Sequence, residues 1–375
     1  MGTAVTSAIL AVAVPWGPRP ASGGPGGLVV HEWGVNCIRI RASDGTQVMN
    51  PAFLDDLPPF AATFEGTREI LRILQNEDPP PSSGDAPDAP PPRGGGDGKP
   101  IVYFYPSGDV GPVSFRVRFV RGYATAVWPV PGRIDGEPTR PWPSTEGGWV
   151  LPYATPTRLA WEGITLSAQP FSEPAGVITD WVGTARDVDA AYVNVEQPRD
   201  QSGLGGDVRS EHFLFYDGVG GRETPLRFTG SRDTPTVRNA GDRPVTDLFL
   251  CHRVGGLGRI EYVASLAPGE SRTLDLEPRR HAVDEDAFRA AARSRLAECL
   301  VRRGLYPKEA AGMARVWEED FFGTDGLCAI HTWTREEYDE DLPAEVTPVP
   351  AEFVRVGLTW IANLPLHDEP GDPGE

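Results

Sequence analysis

His31-Glu32 and Glu211-His212 are the residues of this chain whose types could do chemistry together. An imidazole held by a carboxylate is a usable acid/base pair, and the same groups could form part of a zinc or other divalent site. Both pairs sit in stretches that read as strands, VVHEWGVNCIRIR and EHFLFYDGVG. Neighbours on a strand point to opposite faces, so neither pair can enter one pocket as it stands. Chemistry would need one residue from each stretch, Glu32 meeting His212 or His31 meeting Glu211. The competing reading is that all four serve as paired polar groups in the framework, as buried polar residues generally do.

Two further constellations are metal candidates. Cys328-x-x-His331 has the reach for one ion if it lies on a helix or turn, whereas the adjacent Cys251-His252 does not. A Cys251–Cys328 disulfide is an equal alternative, and no second compact pair completes a zinc site. Glu318, Glu319 and Asp320, at the expected C-terminal end of a helix, form an acidic district with Glu336, Glu337, Asp339, Glu340 and Asp341, with Arg335 among them. Calcium is one occupant for it and a solvated face is the other. Trp128, Trp142, Trp149, Trp161 and Trp181 suit either stacking on a sugar or filling a core. The sequence specifies no cofactor. It has neither a phosphate loop nor a Gly-x-Ser-x-Gly elbow.

The elements that must position these groups are mostly strands. The chain has 375 residues with 43 Gly and 39 Pro, and short runs such as KPIVYFYP, VSFRVRF and TRLAWEGITLS alternate between turns. That texture predicts a mainly β protein of two β-sandwich-like units with a C-terminal α-helical hairpin packed on them. The expected division is a signal or disordered N-terminus at 1–28, a β segment at 29–76 joining the first unit, and a low-complexity linker or loop at 77–98. The first β unit follows at 99–200 and the second at 205–280. A helical hairpin occupies 283–323, C-terminal strands 324–364, and a disordered tail 365–375. Within this plan Val113–Trp128 is expected to be a hairpin turning at Gly122, Glu211–Tyr216 one strand, and LAPGESRTLDL an edge hairpin. Thr67–Leu74 reads as a short helix. Phe288, Ala292, Leu296, Cys299 and Leu300 share one face of a helix with acids at its start and Arg302 and Arg303 at its end.

Several of these stretches together resemble an uncharacterised, mostly exported bacterial protein family. HEWG followed by ASDG, KPIVYFYP, EHFLFYDGVG, GLYPKEAAGMARVW and the ending DLPAEVTPVPAEFVRVGL carry the resemblance. It implies no activity. Two positions depart from the family pattern: His212 stands where Lys is expected, and Gly326–His331 replaces a Gly-Leu-Arg-(aliphatic)-Leu-Tyr strand. A metal scheme using His212, Cys328 or His331 would therefore be private to this chain.

A net charge of -18 argues against nucleic-acid partners and anionic lipid. The apolar run Thr3–Trp16 followed by small residues and prolines suggests a secretory signal, although no Lys or Arg precedes it, and it is too short to span a bilayer. The expectation is an extracytoplasmic protein with no transmembrane segment in its mature form, acting as a binding or envelope-associated module whose partner is a cell-envelope polymer or protein. The alternative is an extracytoplasmic hydrolase, metal-assisted, using the His/Glu pairs.

Overall fold

The computed structural model describes residues 27–40, 47–49, 57–58, 60–65, 98–143, 149–176, 179–199, 206–220, 222–281 and 284–366. The expected signal, the Thr67–Leu74 helix, nearly all of the 77–98 linker and the tail past 366 lie outside these residues.

The protein is mainly β, with helices concentrated towards the C-terminus. Its principal strands are, in chain order, β1 (Leu28–Ile40), β2 (Gly98–Pro106), β3 (Val113–Arg118), β4 (Gly122–Trp128), β5 (Arg158–Ser167), β6 (Tyr192–Glu196), β7 (Val208–Glu211) and β8 (Leu214–Gly220). There follow β9 (Leu226–Gly230), β10 (Pro235–Asn239), β11 (Val245–Val254), β12 (Leu257–Leu266), β13 (Ser271–Thr273), β14 (Gly326–Thr332), β15 (Ala344–Thr347) and β16 (Glu352–Ala362). The α-helices are α1 (Asp180–Arg186), α2 (Glu285–Arg302), α3 (Pro307–Val316), α4 (Glu318–Phe322) and α5 (Arg335–Asp341).

Among the described residues one large sheet runs β12-β11-β14-β16-β1-β2-β8-β4 and continues into three short strands. Its faces are read directly from alternation. Odd-numbered side chains of β1 (Trp33, Val35, Cys37) pack into a core with α1, α2, α3 and α4. Even-numbered ones (Leu28, Val30) face a second sheet, β7-β6-β5-β3-β15, whose Phe115, Val117 and Trp161 close that core. A third sheet, β9-β10-β13, packs Leu226 and Val237 on the far half of the same face, against Leu248 and Leu250 of β11. The molecule is thus layered, with α1–α4 on one side of the large sheet and the two small sheets and α5 on the other.

The large sheet runs across the expected boundary between 99–200 and 205–280. β2 and β4 lie in the same sheet as β8, β11 and β12, so the two sandwich-like halves share one continuous sheet. The C-terminal strand makes the join. β16 enters parallel to β1, with His31 opposite Val354 and Glu32 opposite Arg355. Buried on both faces along most of its length, β1 needs a largely apolar run, which is how it reads apart from His31, Glu32, Asn36 and Arg39.

Three local expectations also change. β3 and β4 are not a hairpin: β3 pairs with β5 and β15, whereas β4 pairs with β8 in the large sheet. Residues 119–122 carry the chain between layers, with Gly122 at φ 107. Glu211–Tyr216 divides into β7 and β8, which belong to different sheets, and His212 and Phe213 form the bend. β13 leaves β12 to pair with β10. By contrast, Gly255 and Gly256 turn the β11–β12 hairpin with φ 57 and 79, the backbone that a two-residue loop of this hand requires.

α2 follows the sequence closely. Asp284 caps it by accepting from the Ala287 N–H, and Phe288, Ala292, Leu296, Cys299 and Leu300 are its buried face. The chain does not continue as one helix from Pro307 to Phe321. It breaks at Trp317, so Glu318, Glu319 and Asp320 open α4 instead of closing a helix. Arg289 and Arg293 of α2 meet Glu318, and Arg289 also reaches Glu319.

Candidate functional site

His31 and Glu32 face opposite layers, as strand geometry dictates. His31 enters the helical side, where its Nδ1 lies 2.7 Å from Oε2 of Glu309 and both side chains are essentially inaccessible to solvent. The same oxygen accepts the backbone N–H of Tyr306 at 2.8 Å. Glu309 is the third residue of α3 and reaches back to the helix cap, so one carboxylate caps the helix and holds the histidine. The rings of Tyr306 and Tyr105 sit 4.4 and 5.2 Å from the imidazole. Burial, then the Glu309 carboxylate, raises the pKa of the Tyr105 hydroxyl and keeps it protonated.

Glu32 enters the opposite layer. Arg355, directly across the parallel ladder, donates to it through Nε at 2.7 Å and Nη2 at 2.9 Å. Oε1 also accepts the hydroxyls of Tyr216 and of Tyr338, the latter at 3.3 Å. Arg355 lies over the Tyr338 ring and extends Nη1 to Asp339 at 2.7 Å. Burial favours loss of the arginine proton, but the Glu32 carboxylate outweighs it, and the guanidinium is held more firmly charged than usual. Burial and the same carboxylate raise both tyrosines. This carboxylate accepts four donors, two of them from a cation, and is fully partnered within the protein.

Glu211 ends β7 in a third environment. Arg186 of α1 grips it with Nε at 2.9 Å and Nη2 at 2.6 Å, and its own neighbour's N–H donates at 2.9 Å. The His212 ring packs tilted against Tyr192 with centroids 3.9 Å apart, and Nδ1 donates to the Ala190 carbonyl at 3.3 Å. Desolvation lowers its pKa, so it is neutral at neutral pH.

The expected meetings of Glu32 with His212 and His31 with Glu211 therefore do not occur. The physical reason is the sheet order. β2 lies between β1 and β8, which puts two inter-strand spacings, roughly 10 Å, between β1 and the strand that His212 leads into, and Glu211 ends β7 in a different sheet. Tyr103 stands opposite His31 in that intervening strand and donates its hydroxyl to the Ala185 carbonyl.

The metal and sugar expectations change as well. Cys328 and His331 lie on strand β14 and, three residues apart, face different layers. Cys328 donates to the Phe321 carbonyl, and His331 is buried against Thr224. Among the described residues no group of three or more His, Cys, Asp or Glu side chains could hold a metal ion. Cys251 and Cys328 are free thiols standing directly opposite each other in the β11–β14 ladder. The acidic district of α5 is opposed by more than Arg335, because Arg222 reaches Glu337, Glu340 and Asp341 and Arg243 reaches Glu340. Those two guanidiniums pull the Glu340 carboxyl down to about 2. Trp128, Trp161 and Trp181 are core side chains, and those of Trp142 and Trp149 lie outside the description.

Sequence reasoning missed Glu309, Arg355 and Arg186. Only Glu309 had a local signal, Tyr-Pro-Lys-Glu, with Pro in the first helical position and Glu in the third.

Neither cavity below is lined by the four sequence candidates. A cavity of about 60 Å³ between β1, β16 and α5 has Trp333, Tyr338 and Leu342 in its wall. A polar cleft of about 620 Å³ opens beside the β9–β10 turn, lined by Ser231, Arg232, Asp233, His252, Glu277 and Arg279 among others. His252, nearly fully buried, has Nδ1 3.2 Å from the Leu276 carbonyl and 3.2 Å from Oδ1 of Asp233. Both neighbours are acceptors, so Nδ1 carries the proton. Burial lowers its pKa and the ring is neutral at neutral pH.

No protein-family model and no curated protein matches the chain. Among solved structures, the Fcho1 Mu homology domain of Danio rerio with bound Eps15 peptide aligns over 90% of this chain and 96% of its own. Identity is 8% and the TM-score 0.24, a likeness that carries no argument.

Proposed function

We propose that this protein is an exported, acidic binding or envelope-associated module, with a cell-envelope polymer or protein as its partner. One observation carries the reading: His31, Glu32, Glu211 and His212 are dispersed over separate interior environments, and each is occupied by a structural partner. A hydrolase built on these residues would gather at least three of them around one concavity. The room for a ligand is elsewhere, in the polar cleft by the β9–β10 turn. Its volume falls within the range of small-molecule sites.

Co-sedimentation of the purified protein with isolated bacterial envelope material tests this. The expected result is saturable retention, unchanged by chelator, with no turnover of ester, peptide or glycoside substrates. Turnover abolished by His31→Gln in a folded protein, or absence of retention, would overturn it.

A further inference from the structure

We propose that the cleft between the β9–β10 turn and the Pro278–His281 turn binds a short zwitterionic peptide, one bearing a free carboxylate and a free ammonium group. The inference rests on the binding-module reading and gives it a site and a ligand class.

The argument starts from the charges on the walls. Arg232 and Arg279 are exposed and take part in no ion pair among the described residues. Each guanidinium offers a planar fork of donors suited to a carboxylate. Asp233 and Glu277 line the same cleft. Asp233 is nearly half exposed, at 46%, and spends one oxygen on His252. The Glu277 carboxylate accepts the Arg279 N–H through Oε1. Each acid keeps a second oxygen as an acceptor for a cationic donor. A wall with both signs in one concavity disfavours a simple anion, which would meet Asp233 and Glu277. It equally disfavours a simple cation, which would meet the arginines. A molecule with one group of each sign satisfies both, and an apolar ligand would leave the walls desolvated without partners.

His252 supplies the third element. Because Nδ1 donates within the protein, the other ring nitrogen carries the lone pair and can accept one peptide N–H. Nearly complete burial fixes the ring, so this acceptor is preorganised. The cleft is also anchored, since the Leu276 N–H donates to the Asp233 carbonyl at 2.7 Å and ties its two rims together. The chain's net charge of -18 repels anions at long range, which further disfavours a purely anionic ligand.

Calorimetric titration of the full-length protein with trialanine, N-acetyl-trialanine and trialanine amide tests the inference. Trialanine should bind, and blocking either end should weaken it at least tenfold. Arg232→Ala with Arg279→Ala should lower trialanine affinity to that of the amide, and these exposed sites should leave the melting temperature unchanged. Equal affinity for capped and uncapped peptides, no heat with any of the three, or indifference to the arginine substitutions would overturn it. Envelope retention by a protein that ignores trialanine would end the cleft proposal and leave the binding-module reading standing, whereas lost retention would end that reading itself.

Discussion

Glu32 accepts from Arg355 and two tyrosine hydroxyls in a site closed to solvent, so removing the cation strands a buried negative charge. Arg355→Met is expected to destabilise the protein by about 3–5 kcal/mol, and adding Glu32→Leu should recover part of that loss. Urea unfolding of the two variants checks this, and a double variant no better than the single one would contradict it. His331 makes a pH prediction. Its Nε2 is 3.2 Å from Thr224 Oγ1, and burial lowers its pKa from 6.5 to about 4. An imidazole of depressed pKa stays neutral when folded while the unfolded chain takes up a proton. Stability should therefore fall as pH drops from about 6.5 to about 4, by roughly 3 kcal/mol from this residue. His212 and His252 act in the same direction. Urea titrations at several pH values should show a shallower slope for His331→Gln, and an unchanged slope would refute the assignment. At this scale the sequence revealed which way side chains point, because alternation is local. It did not reveal what they meet, because Glu309 is 278 residues from His31 and Arg355 is 323 from Glu32.

Elements whose pattern is self-contained were legible. α2 appeared with its acidic start, its buried face and its basic end, and β3 buries Val113, Phe115 and Val117 as its alternation requires. What failed was partnership. β3 and β4, or β7 and β8, are contiguous in sequence yet belong to different sheets, and a bend of two or three residues has no periodic signature. Cys251 and Cys328 show the value of knowing the partner strand. Directly opposed residues of an antiparallel ladder have Cα atoms about 4.5–5.5 Å apart, within the span of a disulfide. Oxidised glutathione should join them, the two thiols giving up two protons and two electrons and the reagent being reduced to two glutathione molecules. Burial raises the pKa of the Cys251 thiol, so the half-exposed Cys328 is the expected point of attack. After oxidation and denaturation, alkylation should mark Cys37 and Cys299 alone. Marking of all four cysteines would contradict the pairing.

Taken whole, the molecule is one large sheet with α1–α4 on one face and two smaller sheets and α5 on the other, so strands of its two sandwich-like halves share one continuous sheet. Composition gave the mainly β class and the C-terminal helices. The shared sheet depends on β16 returning beside β1 across almost the full chain, a join that no window of sequence contains. That join also fixes the fate of the candidate residues, because it puts Arg355 against Glu32, while Glu211 ends β7 in a different sheet from His31.

Double-mutant cycles around His31 test this account most directly, with folding free energies from urea unfolding as the readout. His31→Gln combined with Glu309→Gln should give a coupling of about 1–3 kcal/mol, while His31→Gln combined with Glu211→Gln should give one within about 0.5 kcal/mol of zero. Strong coupling of His31 to Glu211, with none to Glu309, would mean that the two segments do meet and that the dispersed arrangement is wrong.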